Sequence, residues 1–391
     1  MIALVVACVS VTVVTWVYAG YPAALTVLAR LRPKPRRRAA LAIPITVIVA
    51  AHDEEPIIAA TVANLGASDY PRELVDIVVA SDGSTDRTVD VATAAGATVF
   101  DLPRVGKLRA INEAVARTAG DVLVFTDADS HVEVGTLSAL VSNFADDDVA
   151  AVAANEVHVV GRDGAPVARG EGLYWRYEQA IKRLEDRVGS AVSASGRLYA
   201  IRRNVFVASE QTASTDDFVI STQAIRAGRR LAFDEHARVL VDTPDEGGTE
   251  LRRKVRMMNR GLRGAFALAA SLLPFERPAY VLQLLCHKIL RRFVGFFLAA
   301  LFVSSAWLAA SDARWWVLLG PQFVFYAAAL AGAVAQGRHV RPPKVLWVAY
   351  FFCLSNLAAA MAVCSLARGS RYEMWEPALA RASAPAPEVA T

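Results

Sequence analysis

Residues Val124 to His131 read VFTDADSH. An apolar run ends there in two aspartates one residue apart, Asp127 and Asp129. In an extended chain, side chains at i and i+2 point to one side, so both carboxylates are expected to face one point in space. Uncompensated, they repel, and one tends to take up a proton. A bound divalent cation removes that conflict, and an oxygen-rich site suits Mg²⁺ or Mn²⁺. A solvated turn carrying two acids satisfies the same letters.

Outward from this stretch the same form recurs. ITVIVAAHDEE (Ile45 to Glu55) is a β-branched run followed by polar residues, a buried strand and its turn. VDIVVASDGSTDRT (Val75 to Thr88) repeats it, ATVFDLP (Ala97 to Pro103) gives a third strand, and DVLVFTDADS (Asp121 to Ser130) a fourth. Between them IIAATVANLGA, TVDVATAAG and GKLRAINEAVARTAG read as helices, the last entered through Gly106. Strands alternating with helices predict an open, mostly parallel α/β sheet. Ligands of such sheets bind beyond the carboxyl ends of the strands. The polar residues after the first, second and fourth strands all fall there. Asp82 is placed to accept from a base N–H. Lys107, at a helix start, is placed beside a diphosphate, where the helix N-terminus also favours anions. Taken alone, Lys107 reads sooner as a solvated lysine.

The chain has 391 residues, 54% of them hydrophobic, and a mean hydropathy of +0.33. Four stretches carry no charged residue: Ile2 to Ala29, Phe293 to Ala310, Trp315 to Ala335 and Val345 to Ala367. Each is near the length of roughly 20 residues that a helix needs to cross the hydrocarbon core. The first lacks a basic region before it and is too long for a signal peptide. Arg30, Arg32, Lys34, Arg36, Arg37 and Arg38 follow it instead, which puts Met1 outside and the central region in the cytosol of a multi-pass plasma-membrane protein. The count of spans sends the C-terminal tail outside, against the pull of Arg368 and Arg371. The four cysteines lie in or beside apolar segments with no CxxC spacing, so neither zinc nor a disulfide framework is indicated. The net charge of +4 is small and its basic residues cluster at membrane edges, which points to anionic lipid headgroups; no nucleic-acid-binding motif is present.

The ordered motifs VIVAAHDEE, VVASDGSTD, GKLRAIN, FTDADS, SASGRLYAIRR and TDDF resemble those of the membrane-bound family 2 glycosyltransferases that make cellulose, hyaluronan, chitin oligomers and poly-N-acetylglucosamine. The resemblance covers roughly Ile45 to Arg263. It implies an α/β nucleotide-diphosphate-sugar transferase domain of GT-A type with a mostly parallel sheet, a helical transmembrane region, and inverting transfer to a β-linked product. It implies that Ala51, His52 and Glu54 line the nucleoside and Asp82 the uracil. Lys107 and Asp127 then lie near the diphosphate, and Asp127 and Asp129 hold Mg²⁺ or Mn²⁺, Asp129 being the more direct ligand. Ser195, Gly196 and Arg197 lie beneath the acceptor, beside Asp216, and Asp217 is the general base. Inverting chemistry needs such a carboxylate to take the acceptor proton; acids at a helix N-terminus are also a common structural device.

Two departures stand out. Ser81 replaces the first of two acids before Gly83. The QxxRW motif survives only as RKVRM, with Arg253 in the Gln place, Arg256 in the Arg place and Met257 in the Trp place. That puts processive polymerisation in doubt more than sugar transfer. Leu251 to Arg263 also reads as a juxtamembrane basic cluster, since it holds six basic residues. YVLQLLCHKILRRFVG (Tyr280 to Gly295) reads as an interfacial helix whose His287 meets headgroups, and His131 is a lesser candidate for the metal.

The expected layout is therefore a membrane helix over 1–31, a cytosolic transferase domain over 32–264, interfacial helices over 265–292, three spans over 293–368, and a tail, partly disordered, over 369–391. RRRAALAIP reads as a linker. The expected activity is transfer from a UDP-sugar, UDP-N-acetylglucosamine or UDP-glucose, to a growing polysaccharide, with translocation and accessory export proteins as further candidates. Single transfer to a lipid-linked acceptor is the second reading. A catalytically silent membrane scaffold is a third, of another class. A transporter is disfavoured by the lack of acids within the spans.

Overall fold

The computed structural model describes residues 1–160, 165–166, 171–242, 249–272, 277–338, 340 and 342–372. The chain forms two compact units. One holds Pro35–Gly164 and Gly189–Asp242; the other holds Met1–Lys34, Ala165–Val188 and Thr243–Tyr372.

The first unit is built on a sheet. Strands β1 (Ile45–Ala51), β2 (Val75–Asp82), β3 (Thr98–Leu102) and β4 (Val122–Asp127) are the four read from the sequence, and they pair in parallel in the order β3-β2-β1-β4. Their β-branched runs are buried because α3 (Glu55–Gly66), α4 (Thr88–Ala94) and α5 (Lys107–Ala116) cover the sheet. Ala51 pairs with Ser81, and Ala50 with Asp127, so the carboxyl ends of β1, β2 and β4 finish level.

The sheet continues beyond what the sequence disclosed. After β5 (His131–Val132), the helix α6 (Thr136–Ser142) and β6 (Val149–Val160) come β8 (Leu198–Arg202), the short helices α8 (Asp216–Ser221) and α9 (Gln223–Arg226), and β9 (Arg230–Asp242). The order runs on as β4-β8-β6-β9-β5, with β8 antiparallel to both β4 and β6, and β6 parallel to β9. The supposed linker is strapped to this unit. Arg36 Nε donates to Asn143 Oδ1 at 2.6 Å, Arg37 Nε to the Ala145 carbonyl at 2.9 Å, and Arg38 pairs with buried Asp234 at 2.9 Å. Three arginines expected at headgroups thus fasten the sheet unit.

The second unit is helical. α1 (Ile2–Thr15), a π-turn over Trp16–Gly20 and α2 (Tyr21–Leu31) form one apolar run. The unit also contains the two-residue strand β7 (Ala165–Pro166), α7 (Glu171–Val188), α10 (Thr249–Ser271), α11 (Pro278–Gln283), α12 (Arg291–Ser311), α13 (Trp316–Gly337) and α14 (Lys344–Ala367). Among the described residues, four runs are long and apolar enough to cross a membrane: Ile2–Leu31, Pro278–Ser311, Ala313–Gly337 and Lys344–Ala367. The segment expected to lie along the interface before residue 293 is continuous with α12, and α10 runs across residue 264. Small residues set the helix approach: a Cβ on Gly295 would come within 2.7 Å of the Asn356 carbonyl, and one on Gly332 within 2.5 Å of the Leu346 carbonyl. Most of the tail, 373–391, lies outside the described residues.

Candidate active site

The loops after β1 and β2 lock together. Asp53 takes a positive φ of 52°, and its Oδ1 accepts the Thr85 N–H at 2.7 Å. Its own N–H donates to Ser84 Oγ at 3.2 Å, and Ser84 takes the Ser81 hydroxyl at 2.9 Å. Ser81, the departure from the acidic pattern, is fully buried and serves as a loop tie.

Two residues expected against the nucleoside sit otherwise. Ala51 is buried in the hydrophobic core at the end of β1, because the strand face it occupies points inward. Asp82 is 0% exposed. Its Oδ1 accepts the N–H groups of Val105 at 2.7 Å and Gly106 at 2.8 Å, and its Oδ2 takes Arg104 at 2.7 Å. Both carboxylate oxygens hold the loop that feeds α5, in place of the base contact expected of them. Gly83 follows with φ +65°, and a Cβ there would meet the Arg104 backbone nitrogen at 2.7 Å, so only glycine fits. His52 lies beside Asp53, its Nε2 3.4 Å from Oδ2. Glu54 is 2% exposed, and its Oε2 has no hydrogen-bond partner among the described residues. Burial, then the charges of Asp129 and Asp127, push its carboxyl up to about 8.

The expected acids and bases do converge. Gly106, at φ +93°, turns the chain into α5, and Lys107 Nζ bonds Asp127 Oδ1 at 2.6 Å and lies 3.1 Å from Asp216 Oδ2. Arg197 pairs with Asp129 and sits 3.7 Å from Asp127 Oδ2. Burial alone would lower the pKa of Lys107 and Arg197; their carboxylate neighbours outweigh it and hold both cations charged. Gly196 lies between two acids, since a Cβ there would stand 3.9 Å from the Asp217 side chain and 4.0 Å from Asp127 Oδ2. The pleat argument for Asp127 and Asp129 fails in detail, because β4 ends at Asp127 and Asp129 lies in the following turn. The two meet at Arg197, which with Lys107 offsets the repulsion.

Three residues of this neighbourhood were not read from the sequence. Glu156 on β6 accepts the Ser195 hydroxyl at 2.6 Å and lies 3.3 Å from His158 Nε2. Burial would raise its carboxyl, but His158, Arg197 and Ser195 bring it down to about 2. Tyr199 is fully buried on β8, and its hydroxyl has no hydrogen-bond partner among the described residues. The alternation NEVHV held the only signal, Glu156 and His158 two apart on one strand face.

Among the described residues, no group of three or more His, Cys, Asp or Glu is arranged to hold a metal. Asp127 and Asp129 still offer hard oxygen donors of the kind Mg²⁺ and Mn²⁺ prefer, with ligand phosphates completing the shell. Glu54, unpartnered and under their negative field, fits a site built for added positive charge. His131 does not join them: it is exposed on β5, its Nε2 3.3 Å from Asn64 Nδ2. His287 is not at headgroups either. It is buried between Glu185 at 2.8 Å and Glu178 at 3.1 Å in the helical unit. Arg253 and Arg256 lie on α10 of that unit, whose Val255 face packs on α14, while Met257 is 56% exposed.

Residues 43–264, more than half of the chain, match the family described as glycosyltransferase like family 2. An N-acetylglucosaminyltransferase of Rhizobium meliloti is 25% identical over 297 residues, 70% of this chain and 68% of that protein. A beta-monoglucosyldiacylglycerol synthase of Synechocystis is 33% identical, but over only 26% of this chain and 23% of its own length. In structure, the chain is similar to a mannosyltransferase of Pyrobaculum calidifontis solved with GDP-Man and Mn²⁺, at 20% identity and a TM-score of 0.69, covering 94% of this chain and 100% of that one. That likeness extends through the sheet and the helices and fixes the fold as GT-A-like. The chain belongs to glycosyltransferase-like family 2, as a sugar-transferring enzyme of GT-A fold that carries four helices long and apolar enough to span a membrane.

Proposed function

We propose that the chain is an inverting glycosyltransferase that moves a sugar from a UDP-sugar, UDP-N-acetylglucosamine or UDP-glucose, to the end of a growing β-linked saccharide. The observation that carries this reading is the convergence of Lys107, Asp127, Asp129, Arg197, Asp216 and Asp217 at the carboxyl ends of the central strands. In the reaction, an acceptor hydroxyl oxygen bonds to the anomeric carbon as the bond from that carbon to the diphosphate breaks on the opposite face. Asp217 takes the hydroxyl proton. Lys107 and Arg197, freed from their carboxylates as the donor enters, place positive charge on the leaving diphosphate. Asp127 and Asp129 would hold Mg²⁺ or Mn²⁺, which supplies further charge to the diphosphate oxygens. Asp216 keeps Lys107 aimed, and the Ser195-Gly196-Arg197 loop, braced by Glu156, forms the floor of the acceptor site. Asp82 acts one step back, by fixing the turn that presents Lys107.

The catalytic unit faces the cytosol in this reading, supported by the basic residues that follow the first span. A second reading, one transfer to a lipid or lipid-linked acceptor, is favoured by Met257, an exposed thioether where polymer-making relatives carry Trp. Mass spectrometry of products from the purified enzyme, offered a panel of nucleotide sugars with saccharide and lipid acceptors, separates the two. A ladder of products supports extension, and a single addition to a lipid supports the second reading. Donor binding without release of UDP under any acceptor would overturn both and leave a silent scaffold.

A further inference from the structure

Within the helical unit, α7, α10, α12, α14 and the π-turn after α1 line an open cavity of about 200 Å³. That is below the roughly 300–1,000 Å³ of drug-sized ligand sites, so the cavity itself has room for a small group only. One wall is apolar and comes from the first half of α14: Trp347, Phe351 and Phe352. Opposite it stand two adjacent arginines, Arg291 and Arg292. They directly precede the uncharged stretch Phe293 to Ala310, so they mark the border of the apolar zone.

The two arginines are in different states. Arg291 is matched: it pairs with Glu178, and the rings of Tyr18, Tyr174 and Tyr177 lie 5.8, 5.5 and 5.7 Å from its guanidinium carbon. Arg292 lines the same cavity with no hydrogen bond or close ion pair among the described residues; the acid it feels, Glu178, is already held by Arg291, and no acid lines the cavity. The Tyr174 hydroxyl, and that of Ser355 on the α14 side, are likewise without a hydrogen-bond partner among the described residues. A guanidinium and two hydroxyls converge on a space bounded by aromatic rings. An unmatched cation at the edge of an apolar zone is costly and calls for an anion.

We infer that this cavity takes the phosphate of an anionic membrane lipid, the Arg292 guanidinium on its oxygens and an acyl chain along the wall of Trp347, Phe351 and Phe352. Guanidinium is suited to the phosphate by its two parallel donors. The position of the arginine at the head of a membrane-length apolar run argues for a lipid over a free phosphate ion, because the chain of a lipid can follow that run and a free ion cannot. The site lies wholly in the helical unit and shares no residue with the carboxylate cluster, so it does not depend on the reading of the reaction.

The test uses the full-length protein in detergent and native mass spectrometry of retained lipid. The protein is incubated with phosphatidylglycerol or phosphatidylcholine, each with and without inorganic phosphate. The parent should retain phosphatidylglycerol in preference to phosphatidylcholine. Arg292→Gln should weaken that retention by about 10- to 100-fold, the worth of a charge-assisted contact, and Tyr174→Phe by a smaller factor. Arg314→Gln, in the loop at the other end of α12, should leave it unchanged. Retention by Arg292→Gln equal to the parent's would overturn the proposal, and would mean that Arg292 only reaches for water at the border. So would equal retention of phosphatidylcholine. Full displacement by inorganic phosphate would assign a soluble anion instead, and displacement by a polyprenyl phosphate at far lower concentration would assign a lipid-linked acceptor. If Arg292→Gln does not fold, Tyr174→Phe and the phosphate competition decide.

Discussion

Asp82→Asn separates a loop clamp from a base contact. The carboxylate has no exposed surface and accepts the N–H groups of Val105 and Gly106 and one guanidinium nitrogen of Arg104. In the variant, the amide oxygen can keep both backbone N–H groups as a neutral acceptor, and its NH₂ group then faces the Arg104 guanidinium, donor against donor. Two hydrogen bonds to a charged acceptor, about 1.5–3 kcal/mol each, become neutral ones of about 0.5–1.5 kcal/mol, and the NH₂ group of the amide is left buried without an acceptor. The Arg104 side chain is 28% exposed, so water takes back much of the ion pair, which adds little. A total of about 3 kcal/mol is expected, or about 10²-fold in the opening equilibrium of the loop, at about 1.4 kcal/mol per factor of ten. Hydrogen exchange read by mass spectrometry on a peptide spanning Pro103 to Ala110 measures it. Protection at Val105 and Gly106 should fall by that factor while peptides from β6 and β9 keep theirs. Donor affinity should fall as well, because Lys107 begins the helix that this loop sets. Unchanged exchange at Val105 and Gly106 with a loss of UDP affinity would refute the reasoning and return Asp82 to the base.

Four other outcomes are expected. In the metal-free protein, the raised Glu54 carboxyl holds a proton that the unfolded chain has lost, so its contribution to stability is present at low pH and disappears as pH rises toward about 8. Melting curves from about pH 5 to about pH 9 should therefore fall more steeply for the parent than for Glu54→Gln; parallel curves would contradict the burial. Asp129→Asn should lower turnover by orders of magnitude in a folded protein, and full activity of that variant in EDTA would remove the metal from the scheme. Asp217→Asn should slow transfer by about 10²- to 10⁴-fold with donor affinity by calorimetry unchanged, and transfer at the parent rate would place the base elsewhere. Protease added to sealed inverted vesicles should cut the sheet unit, and protection of that unit would reverse the orientation.

The first four strands, three helices and four membrane-length runs were legible because each rests on local periodicity: short β-branched runs closed by polar turns, and long stretches without charge. β6, β8 and β9 were not. Their residues pair across large sequence separations, Phe125 with Tyr199 and Val152 with Ala232, and no local pattern encodes such partners. His287 misled for a related reason. Basic residues at helical spacing beside a span suggest headgroups, and only packing against α7 put Glu178 and Glu185 around it.

The sequence by itself determined that Lys107, Asp127 and Asp129 fall just before or after local strand-and-helix boundaries at one edge of the sheet. Arg197 and Asp217 were marked only by the motif resemblance, and β8 and α8 bring them to that edge. Tertiary structure alone decided how their charges are matched. Asp82 is turned inward to hold a loop, Glu54 is buried without a partner, Lys107 is shared by Asp127 and Asp216, and Arg197 draws Asp129 back toward β4. Charge matching depends on distances and burial among groups far apart in the chain, and those exist only after the sheet has assembled.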